Sequence, residues 1–159
     1  MTSRLTGMVI VTSDRILSGE RRDTAGPLAC GLLAEAGVPA GIVVVEEGVQ
    51  AVSRALADAR VATHRVIVTV GGTGLGPRNQ APEATAPLLE VRLDGLVTQV
   101  LIQGLASTHQ AGLSRALIGL TGRGPTDALI INSPGSTGGV RDTLGVVCPL
   151  LPNIFERLG

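Results

Sequence analysis

RVIVTVGGTGLGPRNQAPEAT, residues 65–85, passes from a run of apolar β-formers through a glycine-rich turn into a helix start. A strand followed by glycines and then by Pro82 in a first helical turn is the junction expected of a strand-turn-helix unit in a parallel sheet. Free N–H groups at such a turn attract anions, and that suggests a phosphate. The turn matches neither the phosphate loop, which needs Gly-Lys-Ser/Thr, nor the GxGxxG fingerprint. Glycines also serve tight chain reversal, so the motif alone leaves both readings open.

The pattern repeats along the chain. Val- and Ile-rich runs occur at 7–12, 41–45, 65–70 and 127–132, with a weaker candidate at 116–120. They are continuously apolar, the signature of strands covered on both faces. Helix-period segments lie between them at 25–37, 49–60, 82–91 and 93–108, and a last one at 138–158 is broken by Pro149 and Pro152 into two short helices. Alternating strands and helices predict a three-layer α/β/α sandwich with a mostly parallel sheet, formed as a single domain over 1–159.

In such a sheet the ligand lies beyond the carboxyl ends of the strands, where strand order reverses. Three polar loops should therefore converge: TSDRILSGERRD (12–23), GGTGLGPRNQ (71–80) and SPGSTGG (133–139). Together they bring the hydroxyls of Thr73, Ser136 and Thr137, glycine N–H groups and Arg15, Arg21 and Arg22 to one cleft, an arrangement suited to an anionic, oxygen-rich ligand.

Composition excludes several alternatives. The 159 residues carry 13 basic and 13 acidic side chains, interspersed, with one Phe and no Tyr or Trp, so neither a basic footprint nor a stacking platform for nucleic acid is present. Every basic residue is arginine, which rules out a Schiff-base lysine and a lysyl-nucleotide intermediate. Cys30 and Cys148 sit in apolar contexts and read as buried core thiols, compatible with a reducing cytoplasmic setting. His64 and His109 lack metal-ligand spacing and read as surface residues. The amino-terminal stretch MTSRLTGMVIVTSDR has too short an apolar run for a signal sequence or a membrane span, so no membrane partner is expected. A mean hydropathy of +0.38 suggests apolar surface buried between subunits.

Three stretches in order resemble the MogA/MoaB family of molybdenum cofactor biosynthesis proteins, related to the molybdopterin-binding domains of gephyrin and the plant adenylyltransferase. They are VTSDRILSGERRDTAGPLACGLLAEAG, with its Ser-Asp-Arg opening, VTVGGTGLGPRNQAPEAT, with the central GGTG, and LSRALIGL with DALIINSPGSTGGVRDTL. The resemblance implies the molybdopterin-binding fold, usually trimeric and sometimes hexameric. It also implies transfer of AMP from MgATP to the molybdopterin phosphate, with other enzymes of the same biosynthesis as partners. By family position Gly71, Gly72, Thr73 and Gly74 contact the ligand, as do Ser13, Asp14 and Arg78 of the first and central signatures; Ser114 and Arg115 lie on the pterin side, and Pro134, Gly135 and Ser136 form the opposite wall.

Departures from the pattern fall on the acids. Where the resemblance implies a catalytic Asp in the central signature this chain has Asn79, and the second acid aligns with Glu47, with Glu46 as the other register. Asn79 offers Mg²⁺ a carbonyl oxygen but no charge, a loss that commonly costs about 10²- to 10³-fold in rate. Glu47 adds a methylene that displaces its oxygens by on the order of 1 Å. Ala81 replaces a threonine and so cannot cap the following helix, at about 1 kcal/mol. Glu83 is a candidate substitute metal ligand, and otherwise an ordinary residue favourable to the helix dipole. A non-catalytic, MoaB-like protein that holds or carries molybdopterin is therefore the alternative to an adenylyltransferase.

Overall fold

A computed structural model describes residues 4–159; residues 1–3 of the amino-terminal stretch considered above lie outside it. The Val/Ile runs form β1 (Gly7–Thr12), β2 (Ala40–Val45), β3 (Val66–Val70), β5 (Ile118–Leu120) and β6 (Leu129–Ser133), joined by a two-residue strand, β4 (Val91–Arg92). They make one six-stranded sheet in the order β2-β1-β3-β6-β5-β4. The pairs β1·β2, β1·β3 and β3·β6 are parallel, whereas β5 runs antiparallel to both β6 and β4. The sheet is mostly parallel, as the sequence predicts.

Helices α1 (Asp14–Leu17), α2 (Ala25–Glu35), α3 (Val49–Val61), α4 (Ala81–Thr85), α5 (Asp94–Leu105), α6 (Thr137–Val147) and α7 (Leu151–Phe155) follow the strands. Strand side chains alternate between two separate cores. Val9, Val11, Val66, Val68, Val70, Leu129 and Ile131 pack with Ala29 and Leu33 of α2 and with Val140, Leu144 and Val147 of α6. Ile10, Ile67 and Ile130 face the opposite side, against Val52, Ala55, Leu56 and Ala59 of α3 and Ala81 and Ala84 of α4. Each fully buried Val, Leu or Ile is worth about 1.5–3 kcal/mol. The small alanines of α3 and α4 let those helices approach the sheet closely, and the two cores make the three layers.

Several local readings are corrected. β2 is an edge strand, with Ile42 and Val43 exposed, so it is not covered on both faces. The segment 82–91 is not one helix: α4 ends at Thr85, a 3₁₀ turn spans Ala86–Leu88, and β4 follows. Pro87 accounts for this, since it lacks the N–H an α-helix interior requires and collides with the preceding turn. Ala81 is no failed cap; Gln80 occupies the cap position and Ala81 is already helical. The helix expected over 93–108 stops at Leu105, and a second 3₁₀ segment covers His109–Leu113. The proline breaks of the last segment are found, with a 3₁₀ turn at Cys148–Leu150 between α6 and α7.

The cysteines are half-buried, not fully buried, and both are free. Burial pushes the Cys30 thiol up and the Cys148 thiol up to about 11, so neither is a ready nucleophile. His109 is exposed, while His64 is half-buried with Nδ1 3.0 Å from the Thr6 hydroxyl. Among the described residues no helix is long and apolar enough to cross a membrane.

Candidate functional site

Strand order reverses between β1 and β3, because β2 lies outside β1 while β3 and every later strand lie on its other side. The chain leaves both strands at this switch point, where open α/β sheets form a crevice. After β1, Ser13 caps α1, its hydroxyl accepting the Ile16 N–H at 3.2 Å. After β3, Gly71 and Gly72 turn the chain with φ of 97° and 72°, values that favour glycine. After β6, Pro134 and Gly135 lead to Ser136, whose hydroxyl accepts the Gly139 N–H at 3.0 Å and caps α6. The Gly71 N–H donates to the Ser133 carbonyl at 3.0 Å, and Gly135 packs against the Gly71 backbone.

The three loops do converge. They enclose a polar cleft of about 330 Å³ lined by Ser13, Arg15, Arg21, Arg22, Gly71, Gly72, Thr73, Gly74, Asn79 and Gly135, with Glu47 from the turn after β2. Backbone N–H groups and arginines in one concavity favour an anion of phosphate type. A second cavity of about 630 Å³ adjoins it and shares the Thr73–Gly74 wall. Val97, Val100 and Leu101 of α5 line it together with Ser114, Ile118, Asn132, Pro134 and Ser136. Apolar walls with a few polar groups suit an organic ring system.

Sequence reasoning missed α5 and the 3₁₀ segment after it as the outer wall of this cavity. The available signal was the apolar composition of α5 on more than one face: Leu101, Ile102 and Leu105 remain exposed, as does Leu113 beyond it.

Of the residues named from the sequence, Thr137 lines neither cavity, and Asp14, Arg78 and Arg115 stand behind the cleft instead of lining it. Asp14 and Arg78 pair across the loops, with Arg78 Nε donating to Asp14 Oδ2 at 2.9 Å and Nη2 donating to Oδ1 at 3.2 Å and to the Glu47 carbonyl at 3.0 Å. Arg78, helped by the Glu47 N–H, holds the Asp14 carboxyl below its ordinary value. Arg115, expected on the pterin side, spends its guanidinium on the glycine loop. Its Nε donates to the Gly74 carbonyl at 3.0 Å, Nη2 to the Asn79 carbonyl at 2.7 Å, and Nη1 to Glu83 Oε2 at 2.6 Å. Glu83, proposed above as a spare metal ligand, is thereby committed to Arg115, which pulls its carboxyl down from the usual value.

Arg115→Lys tests this positioning. A lysine has no planar fork with which to reach two carbonyls and a carboxylate together. The variant is expected to lose about 1–2 kcal/mol of stability by chemical denaturation and to show faster amide exchange over residues 71–80. Unchanged exchange there would mean that the loop holds without Arg115.

The carboxylates do not present a metal site. Glu47 Oε2 accepts the Asp14 N–H at 3.1 Å, and Oε1 accepts Asn79 Nδ2 at 3.0 Å. Both Asp14 oxygens face Arg78. Among the described residues no group of three or more His, Cys, Asp or Glu side chains is placed to hold a metal ion. A cation between Asn79 and Glu47 would meet the amino group of the amide, so Mg²⁺ does not fit the donor set as it stands.

Comparison with known proteins gives this geometry its relatives. The family described as "Probable molybdopterin binding domain" matches residues 8–153, which contain all three loops and both cavities. The chain belongs to the MogA/MoaB family of molybdopterin-binding domains. A molybdopterin biosynthesis protein from Mycobacterium abscessus has the same fold at a TM-score of 0.87, with 39% identity over 97% of this chain and 96% of that one. The MoaB enzyme of molybdopterin biosynthesis from Thermus thermophilus superposes at 0.83, with 34% identity over 96% and 94% of the two chains. Molybdenum cofactor biosynthesis protein B of Staphylococcus carnosus is 35% identical over 144 residues, which is 86% of this chain and 81% of that protein.

Other curated relatives are longer. The chain spans 25% of the Drosophila melanogaster molybdenum cofactor synthesis protein cinnamon, 21% of the gephyrin of Dictyostelium discoideum and 47% of a bifunctional protein from Chlorobaculum tepidum. A unit similar to this chain thus recurs inside longer proteins.

Proposed function

We propose that this MogA/MoaB chain binds molybdopterin across the two adjoining cavities and transfers AMP to its phosphate from ATP, which enters with its own Mg²⁺. One observation carries the reading: a polar, arginine-lined cleft shares its Thr73–Gly74 wall with a larger, mainly apolar cavity. Ser13, Gly72, Thr73, Gly74 and Gly135 would hold phosphate oxygens through hydroxyl and N–H groups, Gly71, whose N–H is given to the Ser133 carbonyl, would shape the turn, and Ser114, Pro134 and Ser136 would border the pterin. Preorganised N–H donors aimed at phosphate oxygens stabilise charge that develops during transfer. Asp14, Arg78 and Arg115 act by fixing the loops. Relatives in Helicobacter pylori that bear the name molybdopterin adenylyltransferase are 34% identical over 93 residues, which supports the reaction class.

A second reading, a molybdopterin-binding carrier without turnover, is favoured by the Asn79–Glu47 hydrogen bond, which leaves neither side chain free to hold a metal. The protein incubated with molybdopterin and MgATP distinguishes the two. Adenylyl transfer releases about one pyrophosphate per molybdopterin consumed, whereas saturable binding without pyrophosphate leaves the carrier. Failure to bind molybdopterin at all would sink both.

The reading extends to assembly and setting. The exposed apolar residues Leu101, Ile102, Leu105 and Leu113 support self-association, for which the family resemblance implies a homotrimer with a hexamer as the larger option, and the two free thiols agree with a cytoplasmic location among other enzymes of the biosynthesis.

A further inference from the structure

The glycine loop after β3 meets the turn after β2 through Arg78 Nη2, which donates to the Glu47 carbonyl at 3.0 Å, through Gln80 Oε1, which accepts the Val49 N–H at 2.9 Å, and through a bond between side chains, from Asn79 Nδ2 to Glu47 Oε1 at 3.0 Å. The other end of the amide is also engaged, because Asn79 Oδ1 accepts the Gly76 N–H at 3.2 Å. Since a backbone N–H can only donate, that contact settles which way the amide points: oxygen toward Gly76, amino group toward Glu47. The remaining Glu47 oxygen accepts the Asp14 N–H at 3.1 Å, so both of its oxygens face donors. The amide also packs tightly, for a Cβ built on Gly74 or Gly76 would lie 2.8 or 3.1 Å from Asn79 Oδ1.

We infer that Asn79 is a metal-free clasp: its amino group bridges the two loops and keeps the cleft formed without a divalent cation, and the single change Asn79→Asp converts the clasp into one that requires a cation. The chemistry is local. An aspartate in the same rotamer keeps one oxygen on the Gly76 N–H and turns the other toward Glu47 Oε1, so two carboxylate oxygens meet at about hydrogen-bond distance with no proton between them. Hard divalent cations bind between such oxygens and complete their shell with water. Alanine at the same position loses the bridge but creates no cation demand. The inference concerns the empty protein, so it stands apart from what ligand the cleft takes.

The test uses no pterin and no nucleotide, which keeps its outcome distinct from that of the transfer assay. Thermal unfolding of the wild-type protein, Asn79→Asp and Asn79→Ala is followed by circular dichroism in EDTA and in a series of millimolar MgCl₂ or MnCl₂ concentrations. The wild-type midpoint is expected to stay within about 1 °C across the series, since a ligand that binds neither state shifts nothing. Asn79→Asp should unfold several degrees lower in EDTA and recover toward wild type with saturation, whereas Asn79→Ala should be lowered and stay lowered. A saturable rise in the wild-type midpoint would overturn the clasp, and so would an aspartate variant indifferent to cations. If the aspartate variant does not fold, electron paramagnetic resonance of Mn²⁺ added to the wild-type protein decides: free Mn²⁺ at every ratio supports the inference, and stoichiometric binding ends it.

Discussion

Asn132→Ala is expected to lower the thermal midpoint by about 4–16 °C. Asn132 is 1% exposed and every polar atom of its side chain is used. Nδ2 donates to Thr69 Oγ1 at 2.9 Å and to Thr85 Oγ1 at 3.0 Å, while Oδ1 accepts the Leu117 N–H at 3.0 Å. One side chain therefore ties β6 to β3, to α4 and to the segment entering β5. Alanine leaves buried hydroxyls and a buried N–H without their partner and opens space beneath the larger cavity. Unmade hydrogen bonds of this kind cost about 1–3 kcal/mol each, partly relieved by relaxation, which suggests a total of about 2–4 kcal/mol. For a chain of this size each kcal/mol moves the midpoint by about 2–4 °C. Asn132→Asp should be no better: Thr85 Oγ1 already donates to the Ala81 carbonyl at 2.9 Å and cannot donate to a carboxylate without abandoning it. Melting curves checked against urea titration would read the effect, and a loss below about 1 kcal/mol would show that the network is not what joins these elements.

Gly71→Ala is expected to combine destabilisation with loss of anion binding. The Gly71 φ of 97° is one that L side chains rarely adopt, and a Cβ there would sit 2.7 Å from the Thr12 carbonyl oxygen. The backbone cannot easily retreat, because the Gly71 N–H is bonded to the Ser133 carbonyl and Gly135 packs against the Gly71 backbone. Conformational strain of this type costs about 1–3 kcal/mol, and the clash adds to it. The chain relieves the clash by parting the loops after β1 and β3, the two walls of the polar cleft. Affinity for a phosphate-bearing ligand should fall by about tenfold or more, since donors shifted by an ångström no longer converge. Gly145 supplies the contrast. It lies within α6 with open space around its Cα, so Gly145→Ala should be neutral or stabilising by up to about 1 kcal/mol. Equal effects at the two glycines, measured by calorimetric titration and melting, would contradict the assignment.

Much of the frame was legible because it rests on local patterning. Strands β1, β3 and β6 and the three polar loops beyond them follow from continuous Val/Ile runs, and the switch-point rule then places the cleft. What escaped depends on contacts remote in sequence. That β2 lies at the edge is a fact of strand order, invisible in a run of valines. Arg115 reads as one more basic residue near a ligand, yet it contacts carbonyls 41 and 36 residues away. The wall contributed by α5 depends on how that helix packs against α6; its apolar residues on more than one face mark a second covered surface without saying that a cavity lies beneath it. Pro87, by contrast, was a local signal that periodicity alone overlooked.

The wall formed by Thr73 and Gly74 belongs to both cavities at once. A group seated on one side of it therefore fixes the surface that the other side presents. Two halves of a ligand, offered as separate fragments, should not bind independently: each would change the affinity of the other by the same factor, as linkage demands. Joined in one molecule, they would share a cost of ordering that the fragments meet separately. Thermodynamically, the two clefts would then count as one site divided by a shared wall.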